Sequence, residues 1–299
     1  MADQSLKDKV VVITGASSGF GKGSALAFAK AGASVVLAAR RDVLLDEVAR
    51  ECEASGGHAL AVHTDVSVEE EVMFLAQAAV AQFGRIDVWV NNAGGGALGR
   101  FEEVPLIDHV HVIETDLIGT LYGSYFALQQ FKTQGAGTLI NIASVIGKVP
   151  APYFASYAAA KHGVVGLSAS IRQELEENKV KGIHVCIVEP TSFDTPFFEH
   201  AANYTGHKAV PIPPVYDPQE VIDTIVSLAT HPKDEVQVGK AGTATALFHQ
   251  FAPALTEKMM GKQTHAAQME KAEPAPDTQG GLLEPTPAGT GVTGGWLKK

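Results

Sequence analysis

Seven short runs rich in β-branched residues recur along the chain, at 10–14, 34–39, 58–63, 86–91, 138–142, 184–189 and 236–239. Several are apolar at consecutive rather than alternate positions, the pattern of strands covered on both faces in a parallel sheet. Parallel neighbours need a crossover, and the stretches between the runs have helical spacing. Val72, Leu75, Ala76, Ala79 and Phe83 are the clearest case. A Rossmann-type doubly wound α/β sheet of about seven parallel strands flanked by helices is the expected fold. One helix, read over about 105–133, is apolar nearly all round between 117 and 128. Burial by its own sheet and by a second subunit follows, so a homodimer or homotetramer is expected.

Composition narrows the classes. The chain has 33 acidic against 23 basic residues, a net charge of −10, which argues against a general nucleic-acid binder. No apolar run has the length of a membrane span, and the polar start is no signal peptide, so a cytoplasmic protein without membrane partners is expected. Cys52 and Cys186 lie too far apart in sequence to suggest a disulfide scaffold or a zinc site. His109 and His111, two apart, point away from each other on a helix, and no metal is expected. After about residue 262 the chain turns rich in Pro, Gly and Ala without period. The domain is expected to be 1–262, and 263–299 a mostly mobile tail, with Leu282, Leu283 and Trp296 suited to pin parts of it.

The first strand runs into Thr14-Gly15-Ala16-Ser17-Ser18-Gly19-Phe20-Gly21, directly before a helix. A pyrophosphate approaches the backbone there too closely for a Cβ, and the helix offers free N–H groups and a positive dipole end. The spacing T-G-x-x-x-G-x-G resembles that of the short-chain dehydrogenase/reductase family. Further marks come in order: Asp65-Val66 after the third strand, Asn91-Asn92-Ala93-Gly94 after the fourth and Ser144 after the fifth. Tyr157-Ala158-Ala159-Ala160-Lys161, Pro190 and Thr195 complete them. The resemblance covers about 5–245. It implies a nicotinamide cofactor held by Gly15, Ser17, Ser18, Phe20, Gly21, Asp65, Val66, Asn92, Ala93, Gly94, Tyr157, Lys161, Pro190, Thr191, Phe193 and Thr195.

Tyr157 and Lys161 are four apart and share a helix face. A phenol has a reference pKa of about 10, and moving it to about 7 takes roughly 4 kcal/mol of differential stabilisation, for which an adjacent ammonium is suited. Alone, such a pair reads as a core aromatic beside a surface charge; the glycine turn and Ser144 upstream reverse that reading. The resemblance makes Tyr157 the general acid/base, Ser144 the group orienting a carbonyl, and Lys161 the residue tuning the tyrosine. Two positions depart from the family. Its catalytic asparagine is Asp116 here, which loses a donor and adds negative charge near Lys161. Its P-G is Pro190-Thr191, which adds a side chain beside the nicotinamide.

The second strand ends Ala38-Ala39-Arg40-Arg41, with Ala39 where an NAD site carries a carboxylate. Arg40, aided by Arg41, suits a 2′-phosphate, so NADP (NADPH) is expected over NAD. The expected activity is hydride transfer between nicotinamide and a small carbonyl/alcohol substrate. The alternatives are a non-catalytic NADP-binding sensor or scaffold, with Asp116 marking lost chemistry, and an epimerase or dehydratase of the same fold. Substrate choice is expected from 94–100, 145–154 and 192–214, with Phe101, Tyr153, Phe154, Phe193, Phe197, Phe198 and Tyr204 making a partly apolar pocket.

Overall fold

A computed structural model describes residues 6–298. Strands β1 (Val10–Thr14), β2 (Ser34–Ala39), β3 (His58–His63), β4 (Val88–Asn91), β5 (Gly137–Ile142), β6 (Ile183–Pro190) and β7 (Glu235–Val238) form one parallel sheet, ordered β3-β2-β1-β4-β5-β6-β7. The order reverses between β1 and β4. There the strand ends diverge and open a crevice.

Consecutive apolar residues serve two cores. Val11 and Ile13 of β1 face Phe28 and Ile225, while Val10 and Val12 face Leu75 and Phe131 on the other side. The covering helices are α1 (Gly19–Lys30), α2 (Asp42–Ala54), α3 (Glu69–Phe83), α4 (Leu106–Ile113), α5 (Gly119–Gln134) and α6 (Ala155–Glu177). Beyond β6 come the short α7 (Phe197–His200), then α8 (Gln219–Leu228), α9 (Lys240–Phe251) and α10 (Pro253–His265). No helix among the described residues is long and apolar enough to cross a membrane.

The helix expected over 105–133 is interrupted. A π-helical turn at Glu114–Ile118 separates α4 from α5 and places Asp116 in the crevice with no exposed surface. Such a bulge inserts one extra residue into a turn and re-aims the helix beyond it. Leu121 and Tyr125 of α5 keep an exposed face, so the sheet buries this helix on one side only.

The segment beyond α10 departs furthest from expectation. Instead of hanging free it is laid back across the open ends of the strands. Asn203 and Thr278 exchange backbone hydrogen bonds of 2.7 and 2.9 Å, and Leu282 is buried beside Ala97, Val104 and Tyr157. Trp296 stacks edge-on to Phe198, its ring centroid 6.2 Å away. The composition does not favour regular structure, but irregular backbone can dock where a domain offers donors to its carbonyls.

The crevice depends on close backbone approach at the first turn. A Cβ on Gly21 would stand 2.2 Å from the Gly15 carbonyl oxygen, so the turn itself would have to move. Gly21→Ala is expected to destabilise the fold by about 1–3 kcal/mol, lowering the midpoint of urea unfolding. An unchanged midpoint would mean the turn has slack that the geometry denies.

Candidate active site

β1 and β4 end side by side, and Thr14 ties them. Its Oγ1 accepts hydrogen bonds from the backbone N–H groups of Asn92 (3.0 Å) and Ala93 (3.1 Å). The Asn92 side chain returns the contact, donating to the carbonyls of Thr14 at 2.9 Å and Gly15 at 3.3 Å. Gly15 has a φ of 67°, and a Cβ there would lie 2.8 Å from the Ala93 Cα. The glycine turn and the N-N-A-G segment are therefore one clamped unit.

Beside it lies a cavity of about 350 Å³. Every expected site residue lines it except Gly21, which is packed beneath the turn: Gly15, Ser17, Ser18, Phe20, Arg40, Arg41, Asp65, Val66, Asn92, Ala93, Gly94, Asp116, Ser144, Tyr157, Lys161, Pro190, Thr191, Phe193 and Thr195. Of the expected aromatics, Phe154, Phe193, Phe197 and Phe198 face it, whereas Phe101, Tyr153 and Tyr204 do not. Asp42 turns outward to His63 at 2.7 Å. His109 is bonded to Ser156 and to the Phe101 carbonyl, both at 3.0 Å.

Helix α6 carries Tyr157 and Lys161 to the centre. Lys161 Nζ lies 5.4 Å from the tyrosine ring centroid, donates to the Ile142 carbonyl at 3.1 Å, and stands 3.0 Å from Asp116 Oδ2. Asp116 Oδ1 accepts the Gly95 N–H at 2.7 Å. Ser144, at the end of β5, accepts from the Ile146 N–H at 3.2 Å and faces the same space.

This order of turn, strand ends and helix is matched by the family model for short chain dehydrogenases over residues 9–204. The chain belongs to the short-chain dehydrogenase/reductase family. It is 34% identical to YxnA of Bacillus subtilis (strain 168), named an uncharacterized oxidoreductase, over 98% of this chain and 83% of that one. It is 36% identical to a 3-oxoacyl-[acyl-carrier-protein] reductase of Synechocystis, over 76% of this chain and 91% of that one. With 3beta-hydroxysteroid dehydrogenase 1 of Eggerthella lenta it shares 34% identity, over 81% of this chain and 92% of that one. As a member of this family it is an oxidoreductase acting on CH–OH/C=O groups.

The two departures from the family pattern have local explanations. Thr191 points its methyl at glycines: a Cβ on Gly239 would lie 2.1 Å from Thr191 Cγ2, and one on Gly242 would lie 2.7 Å from Thr191 Cβ. The extra side chain is thus partly housed by α9 and the glycine before it. Asp116 changes the electrostatics. Burial alone would lower the Lys161 ammonium, but the Asp116 carboxylate and Tyr157 more than offset that and raise it. Asp116 is itself pushed up by burial, against the pull of Lys161 and the Gly95 N–H.

The expected depression of Tyr157 is not found; its phenol is raised. Burial is the largest influence and pushes the phenol above the ordinary tyrosine range. Lys161 pulls it down, Asp116 pushes it up again, and the Ser144 hydroxyl lowers it slightly. The pairing of Lys161 with a carboxylate cancels much of the cation's pull.

Several lining residues were not legible in the sequence: Met260 and Gln263 on α10, and Gly281, Leu282, Pro285 and Thr286 on the returning segment. Of these, only Leu282, one of the apolar pair Leu282-Leu283, gave a signal. Because Asp116 raises the phenol, Asp116→Asn is expected to move the tyrosinate absorbance titration of Tyr157, isolated by difference against Tyr157→Phe, to lower pH. Superimposable titrations would show that the carboxylate does not act on the phenol.

Proposed function

We propose that the protein is an NADPH-dependent carbonyl reductase in which Tyr157 is the proton donor. The observation that carries this reading is the cluster of half-buried Tyr157 with buried Lys161 and Asp116, facing the cavity beside Ser144. The un-ionised Tyr157 phenol is the form that donates a proton; burial and Asp116 raise it and so make the donation harder, which the Lys161 charge opposes. Lys161, held as an ammonium by Asp116, supplies positive charge beneath the phenol as its proton leaves. Ser144, at a strand end, is placed to hold a carbonyl oxygen beside the tyrosine.

The donor set fits a phosphorylated dinucleotide. The α1 N-terminus follows the glycine turn, and Arg40 and Arg41 line the far end of the cavity, where Ala39 supplies no carboxylate. When bound, the nicotinamide supplies or accepts the hydride. Asp65, kept below the ordinary carboxylate range because Ser67 and Arg40 outweigh its burial, lines the adenosine side. Tyr157 packs against Phe197 with ring centroids 5.5 Å apart, and Phe154 and Phe198 extend an apolar wall, so a carbonyl with an apolar body is the favoured substrate. A homodimer or homotetramer is part of this reading, supported by the exposed apolar face of α5.

With Tyr157→Phe, turnover of a carbonyl panel is expected to fall by about 10²–10⁴-fold, while NADPH fluorescence titration gives near-normal affinity. A mutant with wild-type kcat would end the proposal. Arg40→Asp is expected to cut the NADPH/NADH ratio of kcat/KM by roughly tenfold to a hundredfold, the worth of a charge-assisted contact. Equal use of both cofactors by the wild-type enzyme would contradict the NADP assignment.

A further inference from the structure

The segment after α10 returns over the cavity and satisfies the groups that the fold offers to anions. Arg40 donates through Nη2 to the Gly281 carbonyl at 2.7 Å and through Nη1 to those of Leu282 and Leu283 at 3.1 and 2.8 Å. Arg41 bridges Ser17 and Ser18 of the glycine turn to the Ala288 carbonyl, 3.0 Å away. The Gly19 N–H, at the start of α1, donates to the Gly291 carbonyl at 2.9 Å. The strap therefore spans from Arg40 to the glycine turn, and Gly281, Leu282, Pro285 and Thr286 form part of the cavity wall.

Its far end is fastened outside this anion-binding set. Asp194, only 3% exposed, lies in the loop after β6. Its Oδ1 accepts the N–H groups of Gly294 at 2.9 Å and Trp296 at 2.8 Å, and its Oδ2 that of Leu297 at 3.3 Å. The Trp296 indole donates to the neighbouring Thr195 carbonyl at 3.2 Å. A carboxylate accepting backbone donors in a buried setting is a strong, charge-assisted anchor. The carbonyl contacts along the strap are neutral on the acceptor side, and a phosphate is the better acceptor for the same donors. The two sets thus differ in kind: exchangeable contacts over the cavity, and a fixed latch at its end.

We propose that Asp194 is a positioning residue that latches the C-terminal strap across the cofactor cavity, so that the dinucleotide binds and leaves only when the strap lifts. This rests on the proposed dinucleotide function of the cavity. With the latch cut, the strap spends more time away from Arg40, Arg41 and Gly19, and both directions of exchange accelerate.

The test is stopped-flow fluorescence on the full chain, with NADPH and NADH binding, followed by chase with excess oxidised cofactor. Asp194→Ala is expected to raise both association and dissociation rates by about tenfold or more. Asp194→Asn, whose amide oxygen still accepts, should fall between. Trp296→Ala, which removes the indole contact to the Thr195 carbonyl but keeps the backbone donors to Asp194, should move both rates in the same direction. Rates within twofold of wild type for the two alanine variants would overturn the latch. So would variants that melt at lower temperature yet exchange cofactor no faster, since that is a purely structural role. A wild-type protein that responds to neither NADPH nor NADH would refute the dinucleotide reading, and the latch with it.

Discussion

The buried contact between Lys161 and Asp116 organises the site. It joins α6 to the π-helical turn before α5, and through the Gly95 N–H it reaches the loop after β4. Two charges removed from water repay their desolvation only where geometry and further hydrogen bonds are good. Here the ammonium also donates to the Ile142 carbonyl, and the carboxylate also accepts from Gly95. Losing either partner would strand the other, so the pair fixes the arrangement of three chain segments around Tyr157.

That pairing has a chemical consequence. A lysine whose charge is matched by a carboxylate is less able to favour a phenolate, and the tyrosine beside it stays protonated over a wider range. The departure from the family asparagine thus acts on Tyr157 through its charge, with Asp116 held 3.0 Å from Lys161.

Much of this was legible in the chain because it is local. The glycine turn announces close backbone approach, the i, i+4 spacing of Tyr157 and Lys161 survives any helix, and consecutive apolar residues imply a sheet covered on both sides. The illegible part rests on non-local or side-chain-independent contacts. The strap is held chiefly through its own backbone carbonyls and N–H groups, which every sequence possesses, so its composition resembled that of a free tail. The π-helical turn likewise shows no breaker residue, since Glu114–Ile118 reads as ordinary helix. The direction of the Tyr157 shift depended on burial and on Asp116 together, and only the second could be read from sequence.

The 3.0 Å contact of Lys161 and Asp116 makes an ion pair beneath a protonated Tyr157 the arrangement we propose. Neutron diffraction from deuterium-exchanged crystals at neutral pH observes those protons directly. The expected density has three deuterons on Lys161 Nζ, none on either Asp116 oxygen and one on the Tyr157 hydroxyl. A deuteron on Asp116 opposite a neutral amine, or a bare tyrosinate, would contradict it.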